Sequence, residues 1–341
     1  RSLIPDTSKI DTKFLWLALR NPFCTNQFDV ETGGIGKGEI SEERLLNIRV
    51  PFPPIDEQRR IVAAWQQAQI KAQKAQERVE EIKQEVKKRI LSDLGLPMSQ
   101  KANQKKYFAV QWKSVLRWGV NANSLNQEVS VHAGRFPVVR LREVIKDLQN
   151  GWSPKCLDRP VQGNEWGVLK LGAVSYGIFD PMANKALPKD TKPRLDYEVK
   201  KGDVLISRSN TLALVGAAAF VDTDIERITI PDLIFRVIWK DNSPVRGDYL
   251  ATVLQTPILR AQIESSANGT SPTMKKVTKP ALLNLEIPLP PLDVQKEIMR
   301  RVEEGRLKIR QEQKVAEKIA EEVQREIERM ILGLSKAESR L

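Results

Sequence analysis

One stretch of the sequence occurs twice, and this repeat limits how the chain can fold. The first copy reads Pro-Phe-Pro-Pro-Ile-Asp-Glu-Gln from Pro51. The second reads Pro-Leu-Pro-Pro-Leu-Asp-Val-Gln from Pro288, so matching residues lie 237 positions apart. Each copy runs into a long polar segment that stops at Leu-Gly-Leu, from Leu94 and from Leu332. An internal repeat of this kind predicts two copies of one structural unit.

Each proline pair predicts a turn that is followed by a helix. Proline fixes φ and disfavours helical backbone in the residue before it, so the chain runs extended up to the pair. Asp56 or Asp293 then places a negative charge at the helix N-terminus, where free N–H groups and the helix dipole favour it. Gly95 and Gly333 are predicted to cap the C-termini of the two helices.

Apolar or small residues recur along both predicted helices at alternating spacings of four and three, which is the heptad pattern of a coiled coil. The stripe is too narrow, and its flanks are too charged, for an ordinary core helix. We therefore predict that the helices, each roughly 56 Å long at about 1.5 Å per residue, pair with each other. In the alternative, each helix packs on a separate globular body. The predicted pairing residues are Ile61, Trp65, Val79, Ile82, Val86, Ile298, Val302, Ile309, Ile319 and Val323.

The repeats also divide the sequence into domains. Residues 1–50 correspond to the last part of a domain, because the predicted helix from Phe14 matches the sequence from Tyr249. Residues 51–96 and 288–341 hold the helices, residues 97–134 a linker and domain entry, and residues 135–287 a complete domain. Few of its strands alternate with helices, which favours a mixed α+β fold. Its predicted strands are Val138–Val139, Gly167–Leu171, Asp203–Ser207, Leu214–Val221 and Leu233–Trp239; its predicted helices are Leu141–Leu148 and Tyr249–Ala267; short strands at Leu45–Ile48 and Leu282–Leu285 are predicted to lead into the hinges.

The composition favours a partner that carries negative charge. The chain has 55 Lys+Arg against 43 Asp+Glu and a net charge of +12, as expected of a protein that binds a polyanion. The two cysteines, Cys24 and Cys156, match no metal-binding or redox spacing. Without an apolar run of about 18 residues or a signal-peptide pattern, the sequence predicts a cytoplasmic protein that does not bind a membrane.

No motif predicts catalysis. The stretch from Gly33 to Gly38 lacks both the leading glycine of a phosphate-binding loop and the Ser or Thr after its lysine. No carboxylates are spaced with a lysine as a magnesium-dependent nuclease requires. The stretch from Phe179 to Met182 is not the Asn/Asp-Pro-Pro-aromatic tetrad of an amino-methyltransferase. We interpret the only histidine, His132, as structural or exposed, so the sequence predicts neither a catalytic residue nor a metal site.

Three polar loops of the complete domain have side chains that are suited to binding DNA. Such side chains contact phosphates, and Arg and Asn also read base edges through paired hydrogen bonds. The loops are Gly151–Lys155, Ser207–Thr211 and Asn268–Lys276. Arg208 and Asn210 are the candidates for base recognition. The predicted DNA-binding residues are Lys155, Arg208, Ser209, Asn210, Thr211, Thr270, Ser271, Lys275 and Lys276.

The repeated Pro-x-Pro-Pro-x-Asp-x-Gln entry to a helix that ends in Leu-Gly resembles the specificity subunit of Type I restriction-modification systems. The segments Gly202–Ser207 and Asn268–Ser271 are also similar to parts of that family's target recognition domains. The resemblance covers nearly the whole chain.

This resemblance implies recognition domains that are joined to two long helices in an antiparallel coiled coil. Each recognition domain would read half of a split site in double-stranded DNA. The helices, through the pairing residues named above, would set the spacing and dock DNA adenine methyltransferase subunits, and through them the restriction and motor subunits. S-adenosylmethionine, ATP and Mg are then expected on those partners, with no cofactor in this chain.

The sequence departs from the family in its first domain, where the counterpart of about Arg135 to Asp248 is missing. A trimmed sequence, a shortened gene, or a second chain that supplies the other half-site, for instance by self-association, would each account for this. Two alternatives stay open for the function. The chain could be the specificity partner of a fused nuclease–methyltransferase of the Type IIB kind, or a coiled-coil scaffold whose globular part binds protein.

Overall fold

Two long helices follow the two proline hinges, as the repeat predicts. Helix α4 (Ile55–Asp93) and the last helix, α9 (Leu292–Ile331), each begin directly after a proline pair. Asp56 and Asp293 lie in their first turns, where a carboxylate interacts favourably with the free N–H groups and the helix dipole.

Both helices end in the same glycine cap. Gly95 has φ +66° and Gly333 has φ +68°, a left-handed conformation that glycine adopts without steric cost. The N–H of Leu96 donates to the Leu91 carbonyl, and that of Leu334 to the Arg329 carbonyl, at 2.8 Å each. These bonds satisfy carbonyls that the helix leaves free, and they confirm the predicted caps.

The structure, a computed structural model, describes residues 3–31, 40–97, 131–175, 177–269, 271 and 274–334. It contains two compact units. The terminal unit is Arg1–Lys83 with Arg306–Leu341, and the central unit is Gln84–Gly305. Most of the predicted linker at 97–134, the Gly33 to Gly38 stretch and the candidate Thr270 lie outside the described residues. Within the described part of the chain, no helix is both long enough and apolar enough to cross a membrane.

The terminal unit holds the start of α4 and the end of α9. Helices α1 (Thr12–Leu19), α2 (Pro22–Glu31) and α3 (Glu42–Leu46) precede α4 in this unit. Phe14 of α1 and Ile61 of α4 are fully buried in one apolar cluster with Ile327 of α9. The early turns of α4 therefore pack against the late turns of α9.

In the central unit the opposite ends of the same helices meet. Ile90 and Leu94 of α4 belong to one core cluster with Ile298 and Val302 of α9. Asp93 accepts a hydrogen bond from the Arg301 guanidinium at 2.8 Å. Because an early segment of one helix packs on a late segment of the other in each unit, the helices form an antiparallel coiled coil, and the expected fold class is confirmed.

The rest of the central unit is a mixed α+β fold. Its strands are β1 (Val138–Arg140), β2 (Ile145–Asn150), β3 (Gly167–Leu169), β4 (Asn184–Ala186), β5 (Val204–Ser207), β6 (Ser209–Asn210), β7 (Ala218–Phe220), β8 (Ile228–Thr229), β9 (Ile234–Trp239), β10 (Lys275–Lys276) and β11 (Glu286–Pro288); its α-helices are α5 (Leu141–Val144), α6 (Gly247–Val253), α7 (Pro257–Ser266) and α8 (Lys279–Leu283). Among the described residues these strands form four small sheets. The largest has the strand order β2–β9–β5–β7, all antiparallel, and a second has the order β4–β3–β8. Strand β1 pairs with β11, and β6 pairs with β10.

The five strands predicted in the complete domain are present as β1, β3, β5, β7 and β9, but other predictions of secondary structure were wrong. The predicted helix Leu141–Leu148 is α5 followed by strand β2, which pairs with β9. The predicted strands at Leu45–Ile48 and Leu282–Leu285 are absent, because their first two residues end helices α3 and α8 and the other two leave the helix through a turn. The predicted helix Tyr249–Ala267 is broken into α6 and α7, because Pro257 begins a new helix.

A buried glutamine joins each hinge to the start of an earlier helix, α1 or α6, by the same three hydrogen bonds. Gln295 accepts from the Arg246 N–H at 2.9 Å and donates to the carbonyls of Pro244 at 2.8 Å and Pro290 at 2.9 Å. Its counterpart Gln58 bonds the equivalent backbone atoms, which are the N–H of Asp11 and the carbonyls of Lys9 and Pro53. Both side chains are fully buried, so the repeat preserves a polar joint as well as an apolar pattern.

Candidate nucleic-acid interface

Three strand ends come together at one edge of the β2–β9–β5–β7 sheet. Asn150, the last residue of β2, pairs with Phe235 near the start of β9. Ser207, the last residue of β5, pairs with Ile234, the first residue of β9. Since the strands are antiparallel, the end of β2, the start of β9 and the end of β5 all lie at this edge. A polar loop follows β2 and another follows β5, and the turn at 230–233 precedes β9.

The loop Gly151–Lys155 follows β2 and lies against the turn that precedes β9. The Trp152 N–H donates to the Ile230 carbonyl at 3.1 Å, and the Ser153 hydroxyl donates to the Asp232 carboxylate. A Cβ on Gly151 would come within 2.0 Å of the Ile230 carbonyl oxygen, so only glycine permits this close approach. The candidate Lys155 is exposed at the end of this loop.

The loop Ser207–Thr211 follows β5 and contacts the same turn. The Arg208 N–H donates to the Leu233 carbonyl at 2.8 Å, and the Arg208 guanidinium lies over the buried Phe235 ring, with its Cζ 5.8 Å from the ring centroid. Asn210 is half-buried and Thr211 is exposed. The Asn210 amide oxygen accepts from the Thr211 N–H at 2.8 Å, which orients the amide at the surface.

Ser209 does not fit the prediction of a DNA contact. Its side chain is fully buried, and its hydroxyl lies 2.7 Å from the sulfur of Met274. Strand alternation turns Ser209 inward, because Arg208 and Asn210 occupy the other face. The hydroxyl therefore joins two loops inside the domain and is not directed at a ligand.

The third loop, Asn268–Lys276, pairs directly with the second. In the β6–β10 ladder, Lys275 is opposite Asn210 and Lys276 is opposite Ser209. The Lys275 ammonium donates to the Gly269 carbonyl at 2.6 Å and so holds its own loop closed. Lys276 and Ser271 are exposed. All three predicted loops are thus connected by hydrogen bonds through the turn at 230–233 and the β6–β10 ladder.

The structure adds one segment that the sequence reasoning missed. The stretch 188–194 contains exposed Lys189, Lys192 and Arg194, and the Arg194 guanidinium lies over the Trp152 ring, with its Cζ 5.0 Å from the ring centroid. This places a fourth basic segment beside the loop Gly151–Lys155. Its three basic residues within six positions were the available signal in the sequence.

Buried polar groups hold the sheet behind this surface. Arg236 of β9 is almost completely buried, and it donates to the Gln149 side chain of β2 at 2.9 Å and to the Glu198 carbonyl at 2.7 Å. Its guanidinium also lies 3.4 Å from the Asp203 carboxylate. A buried charge needs such partners to be tolerated, so Arg236 supports the sheet and is not available to a ligand.

The predicted pairing residues of the helices all lie on sheltered faces. Ile61, Val79, Ile298 and Val302 are buried, and the other six (Trp65, Ile82, Val86, Ile309, Ile319 and Val323) are half-buried. Side chains in these positions pack within the protein. Apolar side chains on the outer faces of the helices in the terminal unit, Ile70, Leu307 and Val315, are about half exposed.

In the described part of the chain, the remaining side chains that could take part in catalysis or metal binding do not lie together. His132 is exposed, with its Nε2 3.1 Å from the Glu286 carboxylate, which agrees with the surface interpretation. Burial raises the pKa of both thiols, Cys24 and Cys156. Within the described ranges there is no group of three or more His, Cys, Asp or Glu side chains that could hold a metal ion.

A family model described as the Type I restriction modification DNA specificity domain matches residues 1–84 and 159–321. The chain belongs to this family. The matched residues of the DNA specificity domain include the loop Ser207–Thr211, the β6–β10 ladder and both proline hinges, whereas Lys155 lies just outside them. Every residue of both glutamine joints is also inside the matched ranges.

Individual relatives agree with membership of the DNA specificity family. The chain is 30% identical over 168 residues to the Type I restriction enzyme EcoEI specificity subunit of Escherichia coli, a match that covers 48% of this chain and 28% of that protein. It is 23% identical over 304 residues to the MjaVIII specificity subunit of Methanocaldococcus jannaschii, covering 85% of this chain and 61% of that protein. The chain thus spans less than two thirds of the length of these relatives.

A solved structure supports the fold. One of its chains superposes with a TM-score of 0.57 and 17% identity, covering 96% of this chain and 73% of that one. That work is described as the structural basis of complex assembly and conformational transition of the type I R-M system.

Proposed function

We propose that this chain is a non-catalytic DNA-specificity subunit of a Type I restriction-modification complex. It binds double-stranded DNA through the loops Gly151–Lys155, Ser207–Thr211 and Asn268–Lys276 of the central unit. Its long helices dock methyltransferase subunits, and through them the restriction and motor subunits. Membership of the DNA specificity family supports this assignment. The observation that carries it is the convergence of three polar loops, predicted independently from the sequence, at one sheet edge.

The positions of the loop residues suit two separate roles, in which some side chains recognise bases and others bind phosphates. Arg208 lies on the Phe235 ring, which limits its motion, and a guanidinium can bond guanine through two parallel hydrogen bonds. Asn210 presents an amide, the group that pairs with adenine in the same manner. Exposed Lys155 and Lys276 provide positive charges for phosphates, which position the protein without reading sequence.

Two substitutions test this division. Replacing Arg208 by alanine should cost about 1–3 kcal/mol on the preferred DNA and relax the preference at one position. Lys276→Ala should weaken binding to all sequences alike and reduce the salt slope by about one. Lys276 is a cleaner probe than Lys275, whose ammonium also closes its own loop.

The measurement is fluorescence anisotropy of labelled duplexes selected from a random pool by the wild-type chain, at several salt concentrations. Ser243→Ala is a matched control, since Ser243 bonds the Val144 carbonyl away from the three loops. Binding by the wild-type chain that does not vary with salt would refute the DNA assignment and favour a protein-binding scaffold. If Arg208→Ala lowered the affinity equally for the selected duplexes and for duplexes of scrambled sequence, its role in base recognition would be refuted.

For the docking of methyltransferase subunits, the outer faces of the helices are better placed than the pairing residues. Exposed Ile70, Leu307 and Val315 of the terminal unit can contact a partner without separating the helices. We expect Ile70→Asp to weaken co-purification with the methyltransferase subunit while leaving helix content and DNA binding intact. Gln73→Asp, at an exposed polar position on the same helix, is the control. If both variants retain the partner equally, docking lies elsewhere.

A further inference from the structure

The segment Thr211–Gly216 connects β6 to β7, and its path is fixed at both ends by backbone hydrogen bonds. The N–H groups of Leu214 and Val215 donate to the Thr211 carbonyl at 3.0 and 2.8 Å. The Gly216 N–H donates to the Ser207 carbonyl at 2.8 Å. Between these points the chain projects exposed Thr211 and Leu212 beside Asn210.

Arg260 of helix α7 holds the middle of this segment. Its Nη1 donates to the Val215 carbonyl at 2.7 Å, and its Nη2 donates to the carbonyls of Leu212 at 3.3 Å and Ala213 at 3.2 Å. Nη2 also lies 3.4 Å from the Glu264 carboxylate, one turn along the same helix. The Arg260 side chain is only 13% exposed, so its charge is directed at the segment and away from solvent.

Close packing of Gly216 against Ile263 is a second contact between the segment and α7. Gly216 has φ +70°, and a Cβ at this position would come within 2.5 Å of Ile263 Cγ2. Ile263 is fully buried. Helix α7 therefore determines the path of the segment from one side, through a polar contact and a steric contact one turn apart.

We infer that Arg260 is a positioning residue for DNA sequence discrimination. It sets the position of Thr211, Leu212 and the neighbouring Asn210 amide, while it does not contact DNA itself. This inference rests on the proposed function. A guanidinium that satisfies three backbone carbonyls restrains a surface loop more strongly than one backbone bond can, and base readout depends on such restraint, because a displaced loop loses the geometry of its hydrogen bonds.

The test compares Arg260→Gln and Arg260→Lys with the wild-type full chain. The probes are a labelled duplex that carries the motif selected by the wild type from a random pool, and the same duplex with the motif scrambled. The matched control is Arg246→Gln, which removes an arginine that is paired with Asp248 at the start of α6. Amide hydrogen exchange of residues 212–216 reports the state of the segment directly.

Arg260→Gln should lower the ratio of affinities for motif and scrambled duplexes on the order of tenfold, comparable to one mismatched base pair. Its affinity for the scrambled duplex and its salt slope should stay at the wild-type values. The affinity ratio of Arg260→Lys should lie between those of the wild type and Arg260→Gln, since one ammonium reaches fewer carbonyls. Exchange of residues 212–216 should become faster in both variants, and Arg246→Gln should behave like the wild type.

Two results would overturn the inference. One is a wild-type affinity ratio in Arg260→Gln, or in Arg260→Lys if the glutamine variant does not fold. The other is a loss of affinity for both duplexes with a salt slope that is smaller by about one, which would make Arg260 a phosphate contact. A wild-type chain that does not distinguish the duplexes would instead refute the proposed function itself.

Discussion

The buried glutamine joint offers a direct test of how the hinge is held to the domain. Gln295→Leu keeps the size of the side chain and similar helix propensity, but it removes one acceptor oxygen and both N–H donors of the amide. The Arg246 N–H and the carbonyls of Pro244 and Pro290 then lose their partner. Pro244 is exposed, so water can replace its bond, whereas Pro290 is buried and Arg246 half-buried.

The two sheltered groups set the size of the effect. A buried polar group left without a partner costs about 1–3 kcal/mol, and the apolar side chain recovers part of this by its own burial. We expect Gln295→Leu to lower the free energy of unfolding of the central unit by about 2–4 kcal/mol. Gln58→Leu should do the same to the terminal unit, because Gln58 makes the equivalent three bonds.

Native-state hydrogen exchange with mass spectrometry is the suitable assay, because it reports each unit separately and does not assume two-state unfolding of the whole chain. Amides of α6 report on Gln295, and amides of α1 report on Gln58. The control is Gln324→Leu on helix α9, whose exposed amide donates to the nearby Glu328 carboxylate at 2.8 Å; its effect should stay within about 0.5 kcal/mol. If Gln295→Leu were no more destabilising than Gln324→Leu, the hydrogen-bond argument for the hinge would fail.

Three further predictions follow from individual contacts. Gly333→Ala should lower the free energy of unfolding by about 1–2 kcal/mol, because of its positive φ alone. Gly95→Ala should lower it more, since a Cβ there would lie 2.9 Å from Arg135 Cβ. Amide exchange rates at the two helix ends measure the difference, and equal losses would contradict the prediction. The hydrogen bond from Arg159 lowers the pKa of Glu165 from 4.5 to about 2, so the stability it contributes is fully present above pH 4.5 and is lost as the pH falls toward 2; an NMR titration should show this pKa, and a value that does not rise in Arg159→Met would refute the cause. Val79→Asp places a charge at a fully buried position of the coiled coil and should destabilise the terminal unit by about 3 kcal/mol or more, which thermal unfolding would detect; an unchanged melting temperature would mean that this position is not sheltered.

The long helices could be predicted because their signals are local. Proline pairs, a first-turn aspartate, a heptad stripe and a terminal glycine each act within a few residues. Short segments lacked such signals. Ile145–Asn150 is a strand because β9 lies beside it, and α3 and α8 are single helical turns whose few leucines are equally compatible with a strand.

The candidate site shows the same division between local and distant causes. Arg208, Asn210 and Lys276 could be selected from the sequence, because residue types that bind nucleic acid are enriched in recognisable polar loops. The inward direction of Ser209 could not, since it depends on pairing with a strand more than 60 residues away. Nor could the contribution of Arg194, whose stacking on Trp152 joins segments about 40 residues apart.

The amino-acid sequence is sufficient to define the duplicated hinge and helix, because their causes lie in steric limits and periodicity within each copy. It shows Gln58 and Gln295 at matching positions, but it does not reveal which backbone groups they bond. Only the tertiary structure brings the ends of β2 and β5 to the start of β9, places β10 against β6 and directs Arg260 at the segment between β6 and β7. These contacts depend on which strands pair, and pairing is decided by burial of the whole sheet and not by any local run of residues.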